Sequence, residues 1–399
     1  MERDPSTAAG ARTRLLLLRA PSANRVYTDA AGPLTAHEAV RVLTAHLGTP
    51  VTGRERTIAG LPLLELDAEA DQAAMVSIAA TLSSTFALFV PHPEDDPEIP
   101  LLEPVALPPV VRHPSDLETT LKYPGKTNEQ FTALMLNLAA SLSGHRAGIL
   151  DGSLTVLDPL CGRGSTLNRA LRLGLSPIGA EIDREDVTAY GAFLSTWLRT
   201  HRYKHTVRTG RLTLAKKQLG TRLDAELARD KNAQRSGRTQ QLTLLGCDTR
   251  RVGELLPRRS IDALVADLPY GVQHGSHSSA GWQRAPLEIL REALPVWRPL
   301  LRRDAGLALA INRHTAPYDA IAQVLREAGF LPVGVEGHYR HRVDRSIDRD
   351  IVLAVRDDHP DPACGDDPDP QTEPARPPAP VTGTSPVAGT TPELERTDP

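Results

Sequence analysis

The chain has 399 residues, 40% of them apolar, and a formal net charge of -3, which allows two modest domains with buried cores. Its three cysteines, Cys161, Cys247 and Cys364, stand far apart without metal spacing. That argues against a disulfide framework or a zinc site and suits a reducing, cytoplasmic setting, while no apolar run approaches membrane length.

Residues 1–110 read as a small α+β domain, with the order of a ferredoxin-like unit. Strands are expected at Arg14 to Ala20, Leu61 to Leu66 and Phe86 to Val90, and helices at Ala36 to Leu47 and Gln72 to Leu82. Pro91 to Pro114 is dense in proline and acid, the composition of a linker.

From about Leu117 strands and helices alternate. Thr127-Asn128-Glu129-Gln130 has the form of a capping box with Thr127 as N-cap, followed by an apolar face through Phe131, Leu134, Met135, Leu138 and Leu142. Strands are expected at Leu154 to Leu160, Pro177 to Asp183, Leu242 to Asp248, Ile261 to Asp267 and Gly306 to Asn312. Helices are expected at Leu167 to Leu173, Ala285 to Leu301 and Tyr318 to Ala328, and a terminal hairpin from Val333 to Tyr339 and Ile351 to Val355. The alternation predicts a Rossmann-like, doubly wound, mostly parallel sheet over residues 111–357, with an antiparallel edge. Residues 199–240 form a basic insert, open to two readings: a surface for phosphates or a solvated loop. Residues 358–399 are rich in Pro, Asp and Thr and are expected to stay disordered.

Four segments at strand ends carry the chemistry. Asp158-Pro159-Leu160-Cys161-Gly162-Arg163-Gly164 runs from a buried strand into a glycine loop, where Gly162 and Gly164 let a ligand approach the backbone. The acid beside it suits a cationic amino-acid head such as that of S-adenosylmethionine. Glu181, with Asp183 second, ends the next strand at the position of an acid that accepts from ribose hydroxyls, though Asp183 also reads as a helix cap. Asp248 follows the third strand and reads either as an acceptor for an adenine amine or as a turn former.

The fourth segment is Asp267-Leu268-Pro269-Tyr270. The lone pair of a nucleobase's exocyclic amine is delocalised into the ring. A carboxylate and a backbone carbonyl that accept its two N–H bonds redirect that pair toward a methyl group. Asp267 and the Leu268 carbonyl fit those parts, with Pro269 fixing the turn and Tyr270 offering a flat face to the base. Gln273 and His274, just beyond, have no assigned role.

At these residues the chain resembles the class I S-adenosylmethionine-dependent amino-methyltransferases, above all the RNA methylases that include tRNA guanine-N2 methyltransferases. The likeness runs from about Leu121 to Arg356 and includes Tyr123-Pro124-Gly125-Lys126-Thr127 and Leu134-Met135-Leu136-Asn137, with Leu268 in place of the commoner proline. The resemblance implies a cofactor site of Thr127, Asp158, Cys161, Gly162, Gly164, Glu181, Asp183 and Asp248, a catalytic turn at 267–270, no metal, and an RNA substrate, tRNA favoured. DNA adenine-N6 or cytosine-N4 methylation uses the same turn, but no separate target-recognition domain is apparent. A nicotinamide oxidoreductase lacks its G-x-G-x-x-G here. A non-catalytic nucleic-acid-binding protein would not need the intact glycine loop and acids.

Overall fold

Side chains alternate across a pleated strand, and the N-terminal lobe uses both faces. In β1 (Arg12–Arg19), Leu15 and Leu17 enter the lobe's main core, whereas Leu16 joins a second, smaller cluster. After β1 come α1 (Arg25–Leu47), β2 (Val51–Ile58), β3 (Leu61–Glu69), α2 (Gln72–Ala79), β4 (Thr85–Pro91) and β5 (Leu102–Val105). The strand order is β2-β3-β1-β4-β5, antiparallel throughout, with β3 inserted between β1 and β2 as in a split β-α-β unit. The computed structural model describes residues 12–22, 24–92, 101–269 and 286–357, so the expected tail, Tyr270, Gln273 and His274 lie outside the described residues.

Helix α1 starts at Arg25, eleven residues before the expected Ala36. Gly32-Pro33 reads as a breaker, yet Pro33 lies inside the helix. The two halves serve different cores. Tyr27, Ala31 and Leu34 pack in the cluster that also holds Phe131 and Leu134, whereas Ala39, Val42 and Leu43 cover the lobe's own sheet.

The remaining elements are α3 (Asp116–Thr119), α4 (Glu129–Ser141), α5 (Gly148–Asp151), β6 (Val156–Asp158), α6 (Ser165–Arg172), β7 (Ile178–Ala180), α7 (Arg184–Thr200), β8 (Lys204–Leu214), β9 (Lys217–Ala228), α8 (Lys231–Arg235), β10 (Gln240–Gly246), β11 (Ile261–Asp267), α9 (Pro286–Trp297), β12 (Leu301–Asn312), α10 (Tyr318–Glu327), β13 (Phe330–Val333), β14 (His341–Arg342) and β15 (Asp348–Arg356). Their sheet has the order β13-β15-β12-β11-β6-β7-β10-β9-β8, with β14 paired to β15. The neighbours β10/β7, β7/β6, β6/β11 and β11/β12 are parallel. This is the doubly wound α/β arrangement, and the order reverses at β6, between β7 and β11. Helices cover both faces: in β11, Ala263 and Val265 face the α4 core, while Leu264 and Ala266 face the core of α9 and α10.

Three expectations are corrected. The N-cap of α4 is Asn128, whose Oδ1 accepts from the Gln130 and Phe131 amides, while the Thr127 hydroxyl goes to Asp267 instead. The antiparallel edge is present as β13 against β15, but its first strand is Phe330–Val333, with Val335 to Tyr339 not a strand. The basic insert is not a solvated loop: β8 and β9 form a hairpin that extends the sheet antiparallel to β10. Its two-residue turn, Ala215-Lys216, has positive φ at both positions, the primed geometry that strand twist favours.

A buried polar latch joins the lobe to α4. Glu38 of α1 is fully buried and accepts from Ser83 N (2.9 Å) and from Asn137 Nδ2 (2.7 Å), which also donates to Thr81 O. Burial raises the Glu38 carboxyl pKa, and these hydrogen bonds partly offset the shift. Asn137 is the polar end of the Leu134-Met135-Leu136-Asn137 segment, so that segment docks the lobe.

Candidate active site

The carboxyl ends of the parallel strands converge at the reversal of strand order, where open α/β sheets bind ligands. Strand β6 ends at Asp158, which is buried and accepts from Leu160 N at 3.1 Å. Burial pushes its pKa up to about 7 against a Thr166 hydrogen bond, and the Asp267 and Glu181 carboxylates push the same way. Asp158 thus lies in the field of both other acids.

The loop after β6 turns sharply into α6. Gly162 and Gly164 have φ of +51° and +79°, in the left-handed region that favours glycine. A Cβ on Gly164 would also come within 2.4 Å of the Tyr190 ring. The Gly162 amide donates to Glu181 Oε2 at 2.8 Å, and the Asp183 amide donates to Oε1 at 2.8 Å. Glu181 therefore ties the glycine loop to the end of β7, and burial holds its carboxyl above the usual range. Cys161 is buried, and its amide donates to Ala180 O.

Asp183 is exposed and caps α7, accepting from Glu185 N at 2.7 Å. Asp248 accepts from Arg250 N and pairs with the Arg250 guanidinium, which also reaches Glu292 at 2.7 Å. Glu181 and Asp248 face one crevice with Pro159, Leu160, Ile182 and Ile289. Glu292 and the Arg250 guanidinium that joins it to Asp248 also line the crevice, so three carboxylates and one cation rim apolar walls that suit a flat ligand bearing hydroxyls and an amine. Asp183 is not among the lining residues.

At the end of β11, the Asp267 carboxylate receives the Thr127 hydroxyl at 2.6 Å, and Arg349 Nη2 lies 3.6 Å from the same oxygen. Leu268 is buried, and its amide donates to Ala310 O of β12, which holds the turn against the sheet. The 123–127 segment bridges the two halves of the site: the Tyr123 hydroxyl is 3.0 Å from Ser165 Oγ, beside the glycine loop, while Thr127 reaches Asp267. Thr127 meets the Asp267-Leu268-Pro269 turn rather than the crevice.

Sequence reasoning missed Arg349, which is buried on β15 with its guanidinium 5.3 Å from the Phe131 ring. No motif marks it, since it lies 82 residues after Asp267 and reaches it only because β15 lies next to β12. Among the described residues no group of three or more His, Cys, Asp or Glu is placed to hold a metal ion, and no helix is long and apolar enough to cross a membrane.

No family model matches the chain, and no curated protein does. Solved structures resemble it at low identity. TrmN from Thermus thermophilus is 14% identical over 77% of this chain and 60% of its own, with a TM-score of 0.36. A 16S rRNA methyltransferase (RsmC) of T. thermophilus, in complex with AdoMet and guanosine, is 13% identical over 53% of this chain and 38% of its own, with a TM-score of 0.28. A 1,6-didemethyltoxoflavin-N1-methyltransferase of Burkholderia thailandensis, with S-adenosylhomocysteine bound, is 16% identical over 56% of this chain and 78% of its own, with a TM-score of 0.30. Likenesses of this size carry no argument, so the functional reading rests on the chain's own strand order and residues.

Proposed function

We propose that the protein is an S-adenosylmethionine-dependent methyltransferase that methylates an exocyclic amine of a nucleobase in RNA, with guanine N2 in tRNA as the leading target. The observation that carries the reading is the joining of two half-sites at the reversal of strand order. The crevice of Glu181 and Asp248 lies on one side, the Asp267-Leu268-Pro269 turn on the other, and Asp158 feels both. Asp158, Glu181 and Asp267 form an acidic group: burial raises the first two above the usual carboxylate range, and Asp158 also feels the charge of the other two. That donor set fits a cationic ligand.

The cofactor, when bound, supplies an electrophilic methyl group on a sulfonium. Glu181 would accept from the ribose hydroxyls and Asp248 from the adenine amine, while the glycine loop passes close beneath. Asp267 would take one N–H of the target amine and the Leu268 carbonyl the other, turning the nitrogen lone pair toward the methyl carbon. A carboxylate has about four acceptor sites, so Asp267 can serve the amine while held by Thr127 and Arg349. Positioning and fixed charge supply most of the acceleration in such a displacement. Isotope transfer from labelled S-adenosylmethionine to bulk RNA tests the reading, and protein or small-molecule labelling with none in RNA would overturn it.

The Asp158 carboxyl gives a pH prediction. Its folded pKa of about 7 stands above the ordinary 3.8, so the folded protein holds a proton that the unfolded chain releases, and this share of stability falls as pH rises through that window. A cationic cofactor favours the ionised form. Affinity for S-adenosylmethionine is expected to rise as pH passes through about 7, with proton release on binding near neutrality. Calorimetry in buffers of different ionisation enthalpy reads that release, and Asp158→Asn should abolish it.

The hairpin presents Arg208, Arg211, Lys216 and Lys217 to solvent. Basic side chains on the open edge β8 blunt edge pairing, and the same charges suit phosphates. Neutralising these four is expected to weaken RNA binding and flatten the dependence of affinity on salt, with cofactor affinity unchanged. An unchanged salt slope, measured by filter binding, would make the hairpin a solubility feature.

A further inference from the structure

A second cleft of about 350 Å³ shares no lining residue with the Glu181 crevice. We propose that it receives the target base of the RNA, so that the N-terminal lobe forms one wall of the acceptor site; this rests on the methyl-transfer reading and adds where the acceptor sits. Three observations converge. The first is adjacency to the catalytic turn: Arg349 lines the cleft and lies 3.6 Å from Asp267, and Lys126 and Asn128, also in its wall, flank the Thr127 that donates to the same oxygen.

The second is chemistry. Tyr27 and His341 line the cleft with ring centroids 5.9 Å apart, and the fixed guanidinium of Arg349 stands over Phe131. The two rings are buried and meet edge to face, so they give a base a rigid aromatic wall to lie against, and a guanidinium donates to the acceptor atoms of a base edge. Burial lowers the His341 pKa to about 4, which keeps its ring neutral at neutral pH. The volume falls within the range of small-molecule sites.

The third is the role it gives the lobe. Val26 and Tyr27 belong to the first turn of α1, the helix that the Glu38–Asn137 latch fixes on α4. The latch therefore sets the position of this wall relative to Asp267.

Substitutions at the rim test this. Val26 is 41% exposed in the first turn of α1, where a carboxylate is favourable to the helix dipole, so Val26→Glu should fold while placing negative charge where the nucleotide's phosphate would pass. Val343→Trp fills the cleft from the β14–β15 connection. Both are expected to leave S-adenosylhomocysteine affinity within about twofold and to lower kcat/KM for RNA at least about tenfold, through KM, whereas Val26→Lys should not. RNA affinity read by fluorescence anisotropy on the same proteins gives an answer that does not depend on catalysis. Wild-type kcat/KM and wild-type RNA affinity in both Val26→Glu and Val343→Trp would overturn the cleft assignment. Failure of the wild-type protein to bind S-adenosylhomocysteine, with RNA affinity still lost in Val26→Glu, would instead sink methyl transfer and leave the cleft standing as an RNA site.

Discussion

Asp267→Ala is expected to lower methyl transfer to RNA by at least about 100-fold, the scale seen when one preorganised electrostatic contact is removed. The residue ends a strand whose preceding positions, Ala263 to Ala266, are buried, so the carboxylate emerges at the edge of the sheet with little freedom. Thr127 and Arg349 fix it there, and the Leu268 amide is tied to Ala310. The substitution removes the acceptor proposed for the target amine but leaves Glu181 and Asp248 in place, so S-adenosylhomocysteine affinity should stay near wild type. Asp267→Asn keeps an acceptor oxygen of the same reach and should retain part of the activity. Near-wild-type transfer by Asp267→Ala would make the turn structural.

Glu181→Ala should cost the most cofactor affinity. Its two carboxylate oxygens accept from Gly162 N and Asp183 N, so the residue both faces the crevice and holds the glycine loop to the end of β7. A hydrogen bond to a charged group contributes about 1.5–3 kcal/mol, which corresponds to roughly 10- to 150-fold in the dissociation constant. Glu181→Gln keeps one acceptor oxygen and should fall between. Calorimetry with S-adenosylhomocysteine reads the series, and an affinity within twofold of wild type for the alanine variant would remove Glu181 from the cofactor site.

The sequence made the parallel core legible because its strands are short apolar runs ending in Gly, Pro or acid, at Asp158, Glu181, Asp248 and Asp267. The same property brought these residues to one edge of the sheet. What stayed hidden has physical reasons. Strand β8 is an exposed edge, so polar and basic residues mask its alternation, and the Ala215-Lys216 turn carries no glycine or asparagine to announce it. The first half of α1 carries Gly32-Pro33, a pair that usually interrupts a helix. Thr127 resembled a cap from its spacing to Gln130, but Asn128 stands one residue further on and its side chain takes the Gln130 and Phe131 amides. The Arg349–Asp267 contact and the cleft that Arg349 lines depend on the placement of β15 between β12 and β13, a tertiary fact that no local pattern encodes.

The central claim is tested most directly by incubating the purified full chain with RNA and S-adenosylmethionine carrying a deuterated methyl group, then digesting the RNA and weighing its nucleosides. The account predicts the label in a base-methylated nucleoside substituted on an exocyclic nitrogen, N2-methylguanosine first among them, and its loss with Asp267→Ala. Label on a ribose oxygen or a ring carbon, or none in RNA from a protein that binds S-adenosylhomocysteine, would contradict it.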